Sequence, residues 1–333
     1  MIMHQYIDGN TGAIKTEDLL GDRLVKLLYS AKGEQPGRLW HLLTSARTSS
    51  LLAFLHFDLN RANRPSGVGR MAKKLGIDLD ECVHPPHKFT SLRQLFERQI
   101  RYWDTRPMPR DETIALSPAD ARVIVGAFSP ASLLSIKHKF FDYDEMLGRD
   151  QWRQVFKNGD FAVFRLTPDK YHYNHAPVSG VVRDIYTIDG AYHACNPTAV
   201  VAIVTPYSKN RRVVTIIDTD VEEGSRMGMV AMIEIVALMI GDIVQCYSDA
   251  RYDHPVPVRP GLFIRRGSPK SLYRPGSSTD VLIFQPGRIR FKEDLLENVR
   301  RCDVNSRFSM GFGRPLVETD IRVRSALTEP RHT

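Results

Sequence analysis

The chain has few cysteines, in none of the arrangements that usually carry chemistry. Cys82, Cys195, Cys246 and Cys302 lie far apart in 333 residues, and no Cys-x-x-Cys pair occurs. That spacing excludes zinc-ribbon and thioredoxin-type sites. Four isolated thiols in a chain this long point to a reducing, cytosolic setting. Long apolar runs are also missing. The longest, residues 227–247, is broken by Glu234, Gly241 and Asp242, whereas a membrane span needs roughly 18–20 apolar residues. Residues 1–12 carry His4 and Asp8 and no apolar stretch, so neither a signal peptide nor a transmembrane helix is expected. There is no internal repeat, no low-complexity tract and no nucleic-acid motif.

What is present is the composition of a folded globular protein, 42% apolar and 25% charged, which argues against disorder. The formal net charge is +8. A basic balance suits an anionic partner. With the basic residues spread along the chain, anionic lipid is at least as good a partner as nucleic acid, and an ordinary basic surface is as good a reading as either.

Two styles of sequence follow one another. Asp18–Tyr29 places Leu19, Leu20, Leu24, Leu27 and Leu28 on one helical face. Leu39–Leu59 continues this style with Trp40, Phe54 and Phe57, flanked by Arg38, Arg47, Arg61, Arg64 and Arg70. Such a region can lie in a lipid headgroup layer, or simply pack on the rest of the protein. Further on, short β-type runs are separated by Pro, Gly, Asn and Asp: Ala121–Phe128, Phe161–Leu166, Ala199–Thr205, Val213–Asp218, Gly261–Arg265 and Val281–Gln285. Met229–Ile240 fits helix or strand, and Glu293–Cys302 reads as a short helix. The expected fold class is α+β. A helical N-terminal region, residues 1–105, precedes a β-rich catalytic core, residues 106–333.

Three segments carry chemical possibilities, each weak alone. In Ser117-Pro118-Ala119-Asp120 a carboxylate sits between a turn and a β-type run, and capping the turn is the plainest reading. In Asp169-Lys170-Tyr171-His172-Tyr173-Asn174-His175-Ala176-Pro177 two histidines lie three apart. A metal reading lacks a third ligand, so no metal is expected. Acid–base work fits better, and a structural role remains open. In Arg274-Pro275-Gly276-Ser277-Ser278-Thr279 hydroxyls stand at a strand entrance. That usually means a turn, but a serine on a strained turn can also attack the carbonyl before it.

Taken in order, these segments resemble the phosphatidylserine decarboxylase family. Ser117 to Val123 is similar to its Ser-Pro-Ala-Asp-Gly-Arg-Val motif, with Ala121 for Gly. Asp169 to Pro177 is similar to its Asp-Tyr-His-Arg-x-His-x-Pro motif, with Lys170 inserted and Tyr173 replacing the Arg. Ser277 to Gly287 is similar to its Gly-Ser-Thr processing site, with Ser277 in place of Gly. Ser91 to Arg98 and Thr105-Arg106-Pro107 resemble its upstream motifs, and Ser179 replaces an acidic or amide residue.

The resemblance implies a proenzyme that cuts itself into a β chain ending near residue 277 and an α chain starting near 278. Asp120, His175 and the serine would form an Asp/His/Ser group. An N→O acyl shift, elimination and hydrolysis would turn the serine into a pyruvoyl group, the covalent cofactor. His172 would serve the decarboxylation step. Spacing to Pro286 favours Ser278, with scission at Ser277–Ser278. Scission at Gly276–Ser277, which makes Ser277 the reactive residue, is the alternative.

The expected reaction forms phosphatidylethanolamine and CO₂ from phosphatidylserine, at the cytoplasmic face of a membrane to which the protein binds peripherally. Expected partners are the anionic phospholipid substrate, the two chains of one precursor and further copies in a homo-oligomer, without nucleic acid. Two alternatives stay open: the same chemistry on a free amino acid, as in tryptophan decarboxylases of similar sequence, or an inactive lipid-binding paralogue.

Overall fold

A computed structural model of the chain describes residues 3–17, 65–128, 143–193, 197–202, 206–237, 242–275 and 278–330. The helices expected over 18–29 and 39–59, Cys195, and Gly276 and Ser277 of the processing segment lie outside the described residues. The architecture is α+β with a β-rich core.

Ten strands form one sheet in the order β10-β6-β7-β8-β12-β4-β3-β13-β1-β2. They are β1 (His4–Asp8), β2 (Ile14–Glu17), β3 (Ala121–Ala127), β4 (Asp160–Leu166), β6 (Gly180–Ile188), β7 (Arg212–Asp218), β8 (Met229–Val236), β10 (Phe263–Ile264), β12 (Ser278–Phe284) and β13 (Thr319–Ile321). A second sheet, β5-β11-β9, is built from β5 (Tyr173–His175), β9 (Ile243–Gln245) and β11 (Pro269–Tyr273). The middle strands β12, β8 and β4 are buried along almost their whole length, which is why they read as near-continuous apolar runs rather than alternating ones. Of Met229–Ile240, open between helix and strand, Met229–Val236 is the strand β8.

Polar side chains fasten the small sheet to the large one. From β11, Lys270 Nζ donates to Glu234 Oε2 of β8 at 2.7 Å, and Ser271 Oγ bonds Glu234 Oε1. Tyr273 Oη reaches Asp280 Oδ1 of β12 at 2.7 Å and accepts from the Ile235 amide at 3.1 Å. Lys270, Glu234 and Asp280 are all fully buried.

Two expectations need correction. The chain does not open in helix. Asp8 Oδ1 accepts from the amides of Asn10 and Thr11, and Gly12 takes φ +70°, so the Asp-Gly-Asn-Thr-Gly run turns β1 back onto β2. β1 also pairs in parallel with β13. Buried charges hold this hairpin. Arg165 Nη2 of β4 lies 2.7 Å from Glu17 and 2.6 Å from Glu318, and His4 Nε2 lies 2.8 Å from Glu318. Arg122 also pairs with Glu17. With two guanidinium groups answering its two carboxylates, this His4–Glu17–Glu318 grouping is a charge clasp rather than a cation site.

The second correction concerns Ala199–Thr205, where Pro197–Ala202 is a helix. Pro197 starts it, the first-turn position a proline favours. The helix also packs against the helix Arg307–Phe312, where a Cβ on Gly311 would stand 2.3 Å from Val201. Tertiary contact thus overrides the β-propensity of the valines. Among the described residues no helix is long and apolar enough to cross a membrane.

Candidate active site

Ser278 is the first residue of β12, the strand between β4 and β8, and lies opposite Leu166 on one side and Val236 on the other. Its side chain is fully buried, and among the described residues its Oγ has no hydrogen-bond partner. A buried hydroxyl without a partner costs free energy on the order of 1–3 kcal/mol, so such a group invites a functional explanation.

The segment 167–172 continues directly from Leu166. His172, at its end, is fully buried, and its carbonyl accepts from the Tyr273 amide at 3.1 Å. Among the described residues no hydrogen bond of full geometry reaches either ring nitrogen, although the Lys170 backbone nearby favours the protonated ring. The ring stacks on Phe96, centroids 3.6 Å apart. Burial, aided by the positive charge of Arg98, holds its basicity well below that of an ordinary histidine, so the ring is neutral at pH 7.

The turn carrying Asp120 is stitched beside β5. The His175 amide donates to Pro118 O at 2.7 Å, and the Leu116 amide donates to Pro177 O at 2.9 Å. The two expected residues therefore become neighbours through the backbone. Their side chains, however, face different partners. Asp120 accepts from Arg106 at 2.9 and 3.1 Å and from the Val323 amide at 2.8 Å. Burial alone would raise its pKa, but the Arg106 charge and hydrogen bonds outweigh that and keep it ionised.

His175 Nδ1 lies 2.8 Å from Gly267 O and Nε2 lies 3.0 Å from Tyr171 Oη. Gly267 has φ +74°, the left-handed region that favours glycine. Burial pulls His175 down to about 3, although the Asp120 charge works in the opposite direction. Among the described residues no hydrogen bond joins Asp120 to His175, or either of them to Ser278.

Sequence reasoning passed over several groups here. Tyr171 lies inside the histidine motif and carries the hydroxyl on His175, yet only its neighbours drew attention. Tyr252, 2.7 Å from Tyr171 Oη, had no sequence signal, since it comes from a loop 81 residues away. Arg106 was noted only as part of a motif, and is in fact the partner of Asp120. A polar cavity of about 360 Å³ adjoins these residues, lined among others by Arg98, Arg106, Asp120, Lys170, Tyr171 and Asp320.

The family model for phosphatidylserine decarboxylase matches residues 92–309. The chain is 32% identical over 224 residues to the phosphatidylserine decarboxylase proenzyme of Chlamydia trachomatis serovar D, covering 67% of this chain and 69% of that protein. It is 30% identical over 311 residues to the proenzyme of the same name from Chlamydia muridarum, covering 93% and 96%. Against the Fusobacterium nucleatum proenzyme the identity is 25% over 308 residues, covering 92% and 95%.

Proposed function

This chain belongs to the phosphatidylserine decarboxylase family, and we propose that it decarboxylates phosphatidylserine to phosphatidylethanolamine with a pyruvoyl group made from its own Ser278. The observation that carries the reading is the fully buried Ser278 hydroxyl at the head of the central strand, unpartnered among the described residues. A reactive carbonyl at the start of a strand held on both sides would be fixed in position, with little freedom left to lose. The residues fit such a group. Ser278 Oγ is a buried polar atom without a partner among the described residues, and the nitrogens of His172 are buried with no side-chain partner among those residues.

When formed, the pyruvoyl carbonyl supplies the electrophile that takes the substrate amine and accepts the electrons left as CO₂ departs. The remaining work belongs to side chains. His172, neutral and shielded from water by Phe96, is suited to hold and give the proton that replaces CO₂. Asp120 stays ionised beside Arg106, and its charge favours a proton on His175 during self-processing. The cavity of mixed charge suits a headgroup bearing an ammonium and two anionic groups, and the basic net charge suits an anionic bilayer surface. The membrane-bound state, the cytoplasmic face and a homo-oligomer belong to the same proposal.

The test is intact-mass analysis of purified protein, followed by incubation with phosphatidylserine vesicles and with free tryptophan. Two fragments split before Ser278, with phosphatidylethanolamine formed from vesicles alone, are expected. A single uncut chain with no product would overturn the reading.

A further inference from the structure

Tyr171 and Tyr252 carry no chemical step in that reading, yet they form a continuous hydrogen-bonded path from His175. His175 and Tyr171 are fully buried, while Tyr252 is half-buried. A carbonyl only accepts, so His175 Nδ1 carries the proton given to Gly267 O at 2.8 Å. Nε2 of the neutral ring then accepts from Tyr171 Oη at 3.0 Å. Tyr171 Oη lies 2.7 Å from Tyr252 Oη, which in turn lies 2.9 Å from Ile100 O.

Counting protons shows what this chain of contacts can do. It has four links and a carbonyl acceptor at each end. A neutral imidazole and two hydroxyls bring three protons, and an imidazolium brings four. With the ring neutral, three protons cannot fill four links: in the order that points both hydroxyls towards His175, Tyr252 gives up its donation to Ile100 O and keeps the Ile100 amide as a donor to its oxygen at 3.2 Å. Ile100 O loses little by this, because it also accepts from the Tyr102 amide at 2.8 Å. With the ring charged, both hydroxyls turn outward and all four links are made. Passing from the first order to the second takes one proton in at Tyr252 and adds one at Nε2, each hydroxyl handing on its own.

We propose that Tyr171 and Tyr252 are the proton relay between His175 and solvent. Inward, a hydronium ion gives its proton to Tyr252 Oη and leaves as water, while Tyr252 passes its own proton to Tyr171 and Tyr171 passes its own to Nε2. The reverse sequence returns one proton from the ring to water, so the balance is one solvent proton in or out. The inference rests on the reading above that His175 gains and loses a proton during self-processing. Arg324, Asp120 and Arg106 are the charged groups that act on the ring, and none of them gives it a hydrogen-bonded exit. Burial keeps both tyrosines protonated at rest, so the transfer is a concerted shift rather than one through a standing tyrosinate.

The full chain made by cell-free translation in H₂O and D₂O, with cleavage followed by intact mass, tests this. Tyr252→Phe should cut at the same bond about a hundredfold more slowly, the low end of what a positioned proton-transfer group contributes, with an altered solvent isotope effect. Tyr252→Ala should be slow and recover when imidazole is added to fill the space. Slow cleavage that imidazole does not recover is the result of a mere packing role, and counts against the relay. Tyr252→Phe matching the unmodified chain in rate and isotope effect, while His175→Ala stays uncut, overturns the relay and leaves the role of His175 standing. Normal cleavage by His175→Ala removes both.

Discussion

Phe96 lies flat against His172, with ring centroids 3.6 Å apart and an interplanar angle of 26°. The stack covers the buried imidazole and helps to keep it neutral. His172→Asn should leave self-cleavage intact and lower decarboxylation about a hundredfold or more. Fragment masses and phosphatidylethanolamine formation, measured on the same preparation, separate the two effects.

Ser278→Ala should leave one intact chain of 37.9 kDa without decarboxylase activity, because no hydroxyl is left at the head of β12. Ser277→Ala should still be cut. Intact mass decides between the adjacent serines, and the opposite pattern would move scission to Gly276–Ser277.

Acidification should weaken the fold through His175. Its pKa is about 3 when folded and about 6.5 when unfolded. Between those values the unfolded chain binds a proton that the folded one refuses. Stability present above pH 6.5 is therefore lost as pH falls, by about 1.4 kcal/mol per pH unit. His172 acts in the same direction. Urea titrations at pH 7 and pH 5 should show the difference between the unmodified chain and His175→Gln shrinking at the lower pH, since glutamine does not titrate.

Glu234→Gln should destabilise the protein by about 3–5 kcal/mol, the cost of leaving a buried partner charge uncompensated. Lys270 is fully buried and has Glu234 as its salt-bridge partner, with Gln245 Oε1 at 2.8 Å. The double change Glu234→Leu with Lys270→Met should cost clearly less than the single one. Urea midpoints of the unmodified chain and of these two variants check this.

Much of the strand layout was legible, because β3, β4, β7 and β12 are short apolar runs punctuated by turn residues. The order of Asp120, His172, His175 and Ser278 was legible through motif resemblance. The contacts around them were not. Asp120 meets Arg106, and His175 meets Gly267 and Tyr171, because a fold can satisfy a polar atom from any distance along the chain. Glu234 appeared in the sequence only as an interruption of an apolar run. It becomes intelligible once β11 brings Lys270 over β8. The valines of 197–202 suggested a strand until a neighbouring helix with Gly311 gave them a place to pack.

The small fragment expected from scission would begin inside the sheet and return through β13, which lies between β3 and β1. It is woven into its larger sibling at two separate places, and neither piece is a body that can leave. On the proposed scission, cutting would have to wait for assembly, since the head of β12 has its neighbours only once both ladders are closed. Each molecule would then arm itself only after passing its own inspection, and a misfolded copy would stay uncut.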